Sequence, residues 1–217
     1  WEIGLSPGLL PSPQNVALRA VRLSARQPRP APHLEPRVYH GGTVVQNLVL
    51  LCRFRNHEQG VHTRSASDYR VVWDQEGGDP ALAPAGSIND WIKQNSFGKM
   101  ELNSTVIRWV TLPHPEEYYA QDEYGFADFP TNVQGLVRDC LDVVDPLVNF
   151  GDFDADNDGN VDSIHVTHSG FGSENGGGAG RIWYHNWDLG ALPGGKWTSS
   201  DRNSKGQAVG VYDYSMA

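Results

Sequence analysis

The longest apolar segment of the chain is TVVQNLVLLCRF, at 43–54. Its side chains are mostly aliphatic and β-branched and show little polar alternation, which is typical of a strand buried on both faces of a sheet. Further strands are predicted at 100–110, which ends in Thr111-Leu112-Pro113, and at 161–168. The pattern therefore predicts at least three strands of one sheet.

Two segments have the periodicity of an amphipathic helix. Ser87 is a good N-cap for the first helix, and Gly98 is a natural end for it. The second helix is predicted over 132–145, and Pro146 ends it. Its apolar residues recur at helical spacing. They are Val133, Leu136, Val137, Cys140, Leu141 and Val144, and in the first helix Ile88, Trp91 and Ile92.

The remaining segments are predicted to lack long regular elements. Residues 1–42 are rich in Pro and Arg and indicate an extended arm, linker or remnant of a pro-segment, with one possible helix at 14–26. Residues 55–86 are predicted to form a long loop, and 169–217 to form Gly-rich and Trp-rich loops with short strands. Residues 43–217 then form an α/β or α+β domain, with a twisted mixed sheet flanked by helices.

Charge and composition exclude several classes of protein. The net charge of −9 argues against a nucleic-acid-binding surface. No apolar run approaches the roughly 18 residues that a transmembrane helix needs. The two cysteines are too few for a Cys₄ zinc site. Cys52 and Cys140 form either one disulfide or two small buried apolar residues, and the sequence leaves both open.

The acidic loop at 152–162 is the strongest chemical signal. The acidic residues are concentrated in 61–217, which hold twenty-three of the twenty-six, and this loop has five Asp in eleven residues. Its core matches the D-x-[DN]-x-[DN]-G start of a calcium loop, because alternate carboxylates in a tight turn face one centre. The predicted calcium ligands are Asp154, Asp156, Asp158, Asn160 and Asp162.

The loop departs from an EF-hand at its end. Its twelfth position is His165 rather than Glu, and a strand pattern follows in place of a helix. Asp162 could supply the last carboxylate. The alternative is a solvated acidic turn that binds no ion.

Other candidate motifs are incomplete. His57 and His62 are separated by five residues, whereas the zinc motif HExxH needs four to place both on one helix face. Ser169 lacks a G-x-S-x-G context, and no phosphate-binding loop is present. His165 and His168 are predicted to face opposite sides of a strand. The sequence also has one N-x-[ST] match, Asn103-Ser104-Thr105, which fits an extracellular protein but can arise by chance.

Five segments follow one another in an order that carries a family resemblance. NLVLLCRF is followed by INDWIKQNSFGKMELNSTVIRWVTLP at 88–113, by DFDADNDGNVD and IHVTHSGFGSENGG within 152–177, and by IWYHNW at 182–187. In this order they resemble the immune inhibitor A family of secreted bacterial-type zinc metallopeptidases, over roughly residues 43–217. The resemblance implies the N-terminal portion of a zincin-like catalytic domain.

The resemblance also assigns residues. The aspartates of the acidic loop match family positions that look like calcium ligands. Two further motifs would be scaffold around the cleft or additional cation ligands. They comprise His168, Gly170, Gly172 and Glu174, and then Trp183, His185 and Trp187.

The zinc ligands implied by the family are absent from this chain. In the family, zinc lies on an HExxH helix that follows a stretch like GVYDYSMA, at 210–217, and its Glu acts as general base. The polypeptide is therefore expected to be longer, to be cleaved with a C-terminal catalytic half as partner, or to be an inactive relative.

The expected function is part of a secreted zinc metalloendopeptidase-like protein, stabilised by calcium and acting on polypeptides, with hydrolysis expected only if an HExxH segment follows Ala217. The alternative is a non-catalytic calcium-binding structural or interaction module of an extracellular assembly. A weaker alternative is a calcium-dependent glycan-binding domain, with sugars stacking on Trp183, Trp187 and Trp197.

Overall fold

The computed structural model describes residues 43–58 and 64–217. The arm predicted for 1–42, its possible helix and His62 lie outside these residues. The helices are α1 (Ala66–Asp74), α2 (Ile88–Asn95), α3 (Glu116–Ala120) and α4 (Val133–Val144). The strands are β1 (Thr43–Arg53), β2 (Met100–Val106), β3 (Val110–Thr111), β4 (Ser163–His168), β5 (His185–Asp188), β6 (Trp197–Arg202), β7 (Ala208–Val211) and β8 (Asp213–Met216).

The main sheet is mixed and has the order β2-β1-β4-β8-β5, with β3 pairing with the end of β1. All of its pairs are parallel except β5–β8, which is antiparallel. The strands β6 and β7 form a separate antiparallel hairpin. This is the α/β architecture with a mixed sheet and flanking helices that the sequence predicts.

Alternation along β1 divides the core between the two faces of the sheet. Leu48 and Leu50 point to the larger cluster, where they pack with α4, whereas Val49 and Leu51 point to a smaller cluster that includes Trp73 of α1. Successive side chains of a strand face opposite sides, so both faces of β1 are buried. The continuous apolar pattern at 43–54 correctly predicted this strand.

A disulfide joins Cys52 of β1 to Cys140 of α4. Both cysteines are fully buried in the larger cluster. The disulfide closes a separation of 88 residues, and such a link stabilises mainly by restricting the unfolded chain. It settles the choice that the sequence left open.

Both predicted helices are present. The hydroxyl of Ser87 caps α2 by accepting from the N–H of Asp90, whose carboxylate accepts in return from the N–H of Ser87. This reciprocal pair is a capping box. Trp91 of α2 does not join the core and is 62% exposed. Asn89 of the same helix is buried, and its side-chain oxygen accepts the N–H of Leu102.

The start of the second predicted helix is also fixed by a local side-chain cap. α4 begins after Asn132, whose side chain accepts the N–H of Gly135, and it ends at Val144. Pro146 then lies in a short 3₁₀ turn rather than at the helix end itself.

The prediction of one long loop over 55–86 is wrong, because α1 lies within it. Ser65 and Asp68 form a capping box that begins this helix. That signal is visible as S-x-x-D, but only Trp73 of α1 is buried, so its apolar periodicity is weak. The predicted strand at 100–110 is likewise interrupted between β2 and β3, and the strand predicted from 161 begins at Ser163.

Within the described ranges, no helix is both long enough and apolar enough to cross a membrane.

Candidate metal centre

The acidic loop connects a 3₁₀ turn at Phe150–Phe153 to β4, and Asp154 organises it. The Asp154 side chain is only 3% exposed. Its Oδ1 accepts the N–H of Asp158 at 3.0 Å, and its Oδ2 accepts the N–H of Gly159 at 3.0 Å. Gly159 has φ +86°, a conformation that other L residues rarely adopt. The first and sixth positions of the motif thus close a tight turn.

Three of the predicted ligands converge. Asp154, Asp156 and Asp162 each place one carboxylate oxygen within 4.8 Å of the other two. Negative charges at this separation repel one another, and a cation between them removes the repulsion. These three side chains therefore form a candidate cation site.

The other two predicted ligands are held by hydrogen bonds to neighbouring groups. Oδ1 of Asp158 accepts the backbone N–H of Asn160 at 2.8 Å and its side-chain N–H at 3.1 Å. Oδ1 of Asn160 accepts from the ammonium of Lys196 at 3.1 Å. Asp158 and Asn160 thus stabilise the turn in this structure, and their metal ligation stays a prediction.

The β6–β7 hairpin holds the loop from outside, which the sequence did not indicate. The amide of Asn203 donates to Oδ2 of Asp154 at 2.7 Å, and the ammonium of Lys196 donates to the carbonyl of Gly159 at 3.1 Å. Val161 donates its N–H to the carbonyl of Gly210 at 2.9 Å. Because these partners are 37 to 49 residues away in sequence, no local pattern identifies them.

The chemistry of the converging donors fits calcium and does not fit zinc. All three are carboxylate oxygens, the hard ligands that calcium prefers, whereas zinc sites in proteins are built mainly from His and Cys. Across 43–58 and 64–217, no other group of three or more His, Cys, Asp or Glu side chains converges in this way. Among the described residues, the converging donors are thus the ligands expected for calcium.

His165, at the twelfth loop position, is not part of the cation site. Its Nδ1 lies 2.7 Å from the hydroxyl of Ser215, and its ring packs on Trp73. Burial lowers its pKa to about 4, so the ring is neutral at physiological pH. His165 and His168 lie on opposite faces of β4, as their spacing predicts, because their neighbours Val49 and Cys52 belong to different clusters.

A second polar cluster forms where β1 and β4 end. Nδ1 of His57 lies 2.9 Å from the hydroxyl of Ser169, and Nε2 lies 3.3 Å from Glu116. Arg181 donates to the same carboxylate oxygen of Glu116 at 2.5 Å. His57, Ser169 and Glu116 come from three distant segments, which the sequence analysis did not associate. The available signal is that carboxyl ends of parallel strands meet at one sheet edge.

This cluster has the composition of a nucleophilic triad but not its accessibility. Ser169 is fully buried, and its hydroxyl accepts the N–H of Phe54 at 3.1 Å. A nucleophile must reach a substrate carbonyl, so this serine supports the strand ends instead. Burial raises the pKa of Glu116 to about 7, and the nearby Arg181 partly offsets that rise.

The histidines of the resemblance motifs are held by protein groups. His168 is buried between the rings of Phe54 and Tyr184, and burial lowers its pKa to about 4. Nδ1 of His185 lies 2.6 Å from the carbonyl of Trp183, and Nε2 lies 3.0 Å from the hydroxyl of Tyr214. The carboxylate of Glu174 accepts the N–H of Tyr184 at 3.3 Å. These contacts fit a scaffold role.

Comparison with known proteins places these features in a family. The family model described as Immune inhibitor A peptidase M6, catalytic domain, matches residues 80–217. Immune inhibitor A of Bacillus thuringiensis subsp. alesti is 29% identical over 140 residues, covering 54% of this chain and 20% of that protein. The pre-pro-metalloprotease PrtV of Vibrio cholerae serotype O1 (strain M66-2) is 26% identical over 122 residues, covering 48% of this chain and 13% of that protein.

The aligned part of the chain thus spans a fifth or less of the length of these relatives. The family match nevertheless covers more than half of the chain, including the acidic loop and the strands β4, β5 and β8. On this match, the chain belongs to the immune inhibitor A peptidase M6 family.

Proposed function

We propose that this chain is the N-terminal part of the catalytic domain of a secreted, calcium-stabilised zinc metalloendopeptidase. The observation that carries the proposal is the family match over 80–217, the region that builds most of the mixed sheet. The Cys52–Cys140 disulfide supports secretion, because such links form and persist in oxidising compartments.

The antiparallel edge of the sheet supports a polypeptide substrate. The strand β5 is the last strand at one end of the sheet, and it pairs with β8. An edge strand presents backbone N–H and C=O groups to which an extended peptide can add as a further strand. We place the substrate along β5, on the side away from β8.

We propose that the zinc ligands lie outside the 217 residues. Zinc supplies a polarised water and a Lewis acid to the scissile carbonyl when it is bound. The chain contains no HExxH, and its described residues offer only carboxylates as a converging group. Peptide hydrolysis is therefore expected only if an HExxH segment follows Ala217, in the same polypeptide or in a C-terminal catalytic half that binds this one.

We assign calcium to the acidic loop, with a structural role. Asp154, Asp156 and Asp162 supply the converging oxygens, and Asp158 and Asn160 complete the proposed ligand set. The ion would join the loop before β4 to the β6–β7 hairpin, because Asn203 and Lys196 contact the same turn. Its effect on the peptidase is thus through the sheet rather than at the reacting bond.

The test is an assay of the full-length native polypeptide, after its mass and C-terminal sequence have been determined. The expected result is cleavage of an unfolded protein substrate that a zinc-selective chelator abolishes and added zinc restores. A variant with the HExxH glutamate changed to Gln should fold normally and lack activity. A native polypeptide that ends without HExxH, has no partner fragment and cleaves nothing overturns the peptidase proposal.

In that case the alternative function becomes the leading one. The chain would be a calcium-binding structural or interaction module of an extracellular assembly, and the convergence of Asp154, Asp156 and Asp162 is the observation that favours it. A calcium-dependent melting temperature in a protein without activity would support this alternative. The two functions therefore differ in the zinc-dependent assay and share the calcium result.

A further inference from the structure

The tripeptide Asn103-Ser104-Thr105 is the one N-x-[ST] sequence in the 217 residues, and it lies in β2. The strand β2 is the outermost strand at the other end of the sheet order from β5. It pairs with β1 in the parallel direction. The tripeptide therefore occupies an extended segment at a sheet edge.

Alternation along β2 separates its buried and exposed side chains. Leu102 and Val106 face the smaller core cluster under α1 and α2. Asn103 and Thr105 face the opposite side, and both are exposed. The acceptor amide and the hydroxyl of the tripeptide thus lie on the same accessible face.

No helix of the described residues covers the face of this sheet corner on which Asn103 lies. Val44, on the neighbouring strand β1, is 45% exposed, and Glu101 on β2 is also exposed. The Asn103 amide donates to Oε1 of Gln46 at 2.9 Å, a contact between surface side chains. A large group on Nδ2 of Asn103 would extend into solvent and displace no core residue.

We propose that Asn103 is an N-glycosylation site of this protein. The accessible tripeptide carries the proposal, and the Cys52–Cys140 disulfide adds that the chain matures in an oxidising compartment. A glycan here would stand on the exposed face beside the edge of β2, whose N–H groups at Leu102 and Ser104 donate to the side chains of Asn89 and Asp74. The proposal does not depend on peptidase activity.

The modification is a glycosyl transfer from a lipid-linked oligosaccharide diphosphate. Nδ2 of Asn103 forms a bond to the anomeric carbon of the sugar, and the bond from that carbon to the phosphate oxygen breaks. The lipid diphosphate leaves with the bonding electrons, and the amide nitrogen loses one proton. No oxidant or reductant is required.

The experiment uses the full-length protein secreted from a eukaryotic cell, together with a secreted glycoprotein as internal control. Trypsin releases residues 100–108, MELNSTVIR, a peptide with a single Asn. We expect this peptide to carry a glycan, and enzymatic deglycosylation in heavy-oxygen water to leave labelled Asp at position 103. The same peptide from native material should give the same result.

Two substitutions of Thr105 form a matched pair. T105S keeps the N-x-[ST] sequence and should stay glycosylated, whereas T105V has nearly the shape of Thr but lacks the hydroxyl and should lose the glycan, as should N103Q. Because both positions are exposed, all variants should keep the wild-type melting temperature after deglycosylation. An unmodified wild-type peptide beside a glycosylated control protein overturns the proposal, and so does a glycan that persists in T105V.

Discussion

The backbone N–H of Gly159 donates to Oδ2 of Asp154 at 3.0 Å. This bond joins the sixth position of the acidic motif to the first and leaves the other carboxylate oxygen of Asp154 to the N–H of Asp158. The turn is therefore formed by the protein's own hydrogen bonds. A cation arriving at Asp154, Asp156 and Asp162 meets an organised loop, so little conformational entropy is lost on binding.

Calcium should raise the melting temperature of the protein. A ligand that binds the folded state alone, at about a hundred times its Kd, stabilises by roughly 2.7 kcal/mol. For a chain of this size each kcal/mol shifts the midpoint by about 2–4 °C, so an increase of roughly 5–11 °C is expected. Thermal unfolding with calcium and with excess chelator measures it.

The substitutions D156N and D162N should each remove most of this calcium effect. D152N is the matched control, because Asp152 is an exposed aspartate two residues before the site and is not in the converging group. Its calcium-dependent shift should equal that of the wild type. A wild-type midpoint that chelator leaves unchanged would contradict the calcium assignment.

Replacing Gly159 should destabilise the loop according to the backbone preference of the new residue. At φ +86° an alanine would be strained, at a cost on the order of 1–3 kcal/mol. Asn tolerates the left-handed region better than Ala, so G159N should be less destabilising than G159A. Denaturant unfolding of both variants tests this order, and equal stabilities would show that the turn is not held at positive φ.

Removing the Cys52–Cys140 disulfide should cost about 2–5 kcal/mol of stability. The double variant C52A/C140A and reduction of the wild type should both lower the denaturant midpoint. Reductant should leave the midpoint of the double variant unchanged, which serves as the control. If the wild type resists unfolding equally well with and without reductant, the link contributes nothing measurable.

Glu116 should make the stability of the protein decrease as the pH rises from about 4.5 to 7. Burial raises the pKa of this carboxyl from 4.5 in the unfolded chain to about 7 in the folded one. The folded state then binds the proton more tightly, so the stabilisation is fully present below pH 4.5 and is lost through pH 7.

The matching experiment compares E116Q with the wild type across this range. The free energy of unfolding of the wild type, relative to E116Q, should fall on the order of 2 kcal/mol between pH 4.5 and 7. E117Q changes the exposed neighbouring carboxylate and should keep the wild-type slope. Parallel pH profiles for wild type and E116Q would contradict the expected titration of Glu116.

Most of the regular elements could be predicted from local patterns. Ser87 and Gly98 bracket α2, and the apolar spacing from Val133 to Val144 predicts α4, because helix capping and periodicity act within a few residues. The helix α1 was missed since it buries little more than Trp73, although its capping box is legible in the sequence. The acidic motif predicted the turn at Asp154 and Gly159 for the same local reason.

Long-range placement could not be predicted in this way. His57, Glu116 and Ser169 meet through the parallel order of β1 and β4 and the position of α3, and nothing near any one of them in sequence indicates the other two. The support of Asp154 by Asn203 likewise depends on how the β6–β7 hairpin packs.

Local patterns in the chain were thus enough to predict the buried strand, two helices and the acidic turn, and the order of its motifs carried the family resemblance. The strand order, the Cys52–Cys140 link, the support of Asp154 by Asn203 and the buried Glu116 cluster were decided by tertiary packing. The physical reason is the distance along the sequence over which each interaction acts. Hydrogen bonds within a turn and hydrophobic periodicity act over a few residues. Burial and charge pairing depend on distant segments that only the folded sheet brings together.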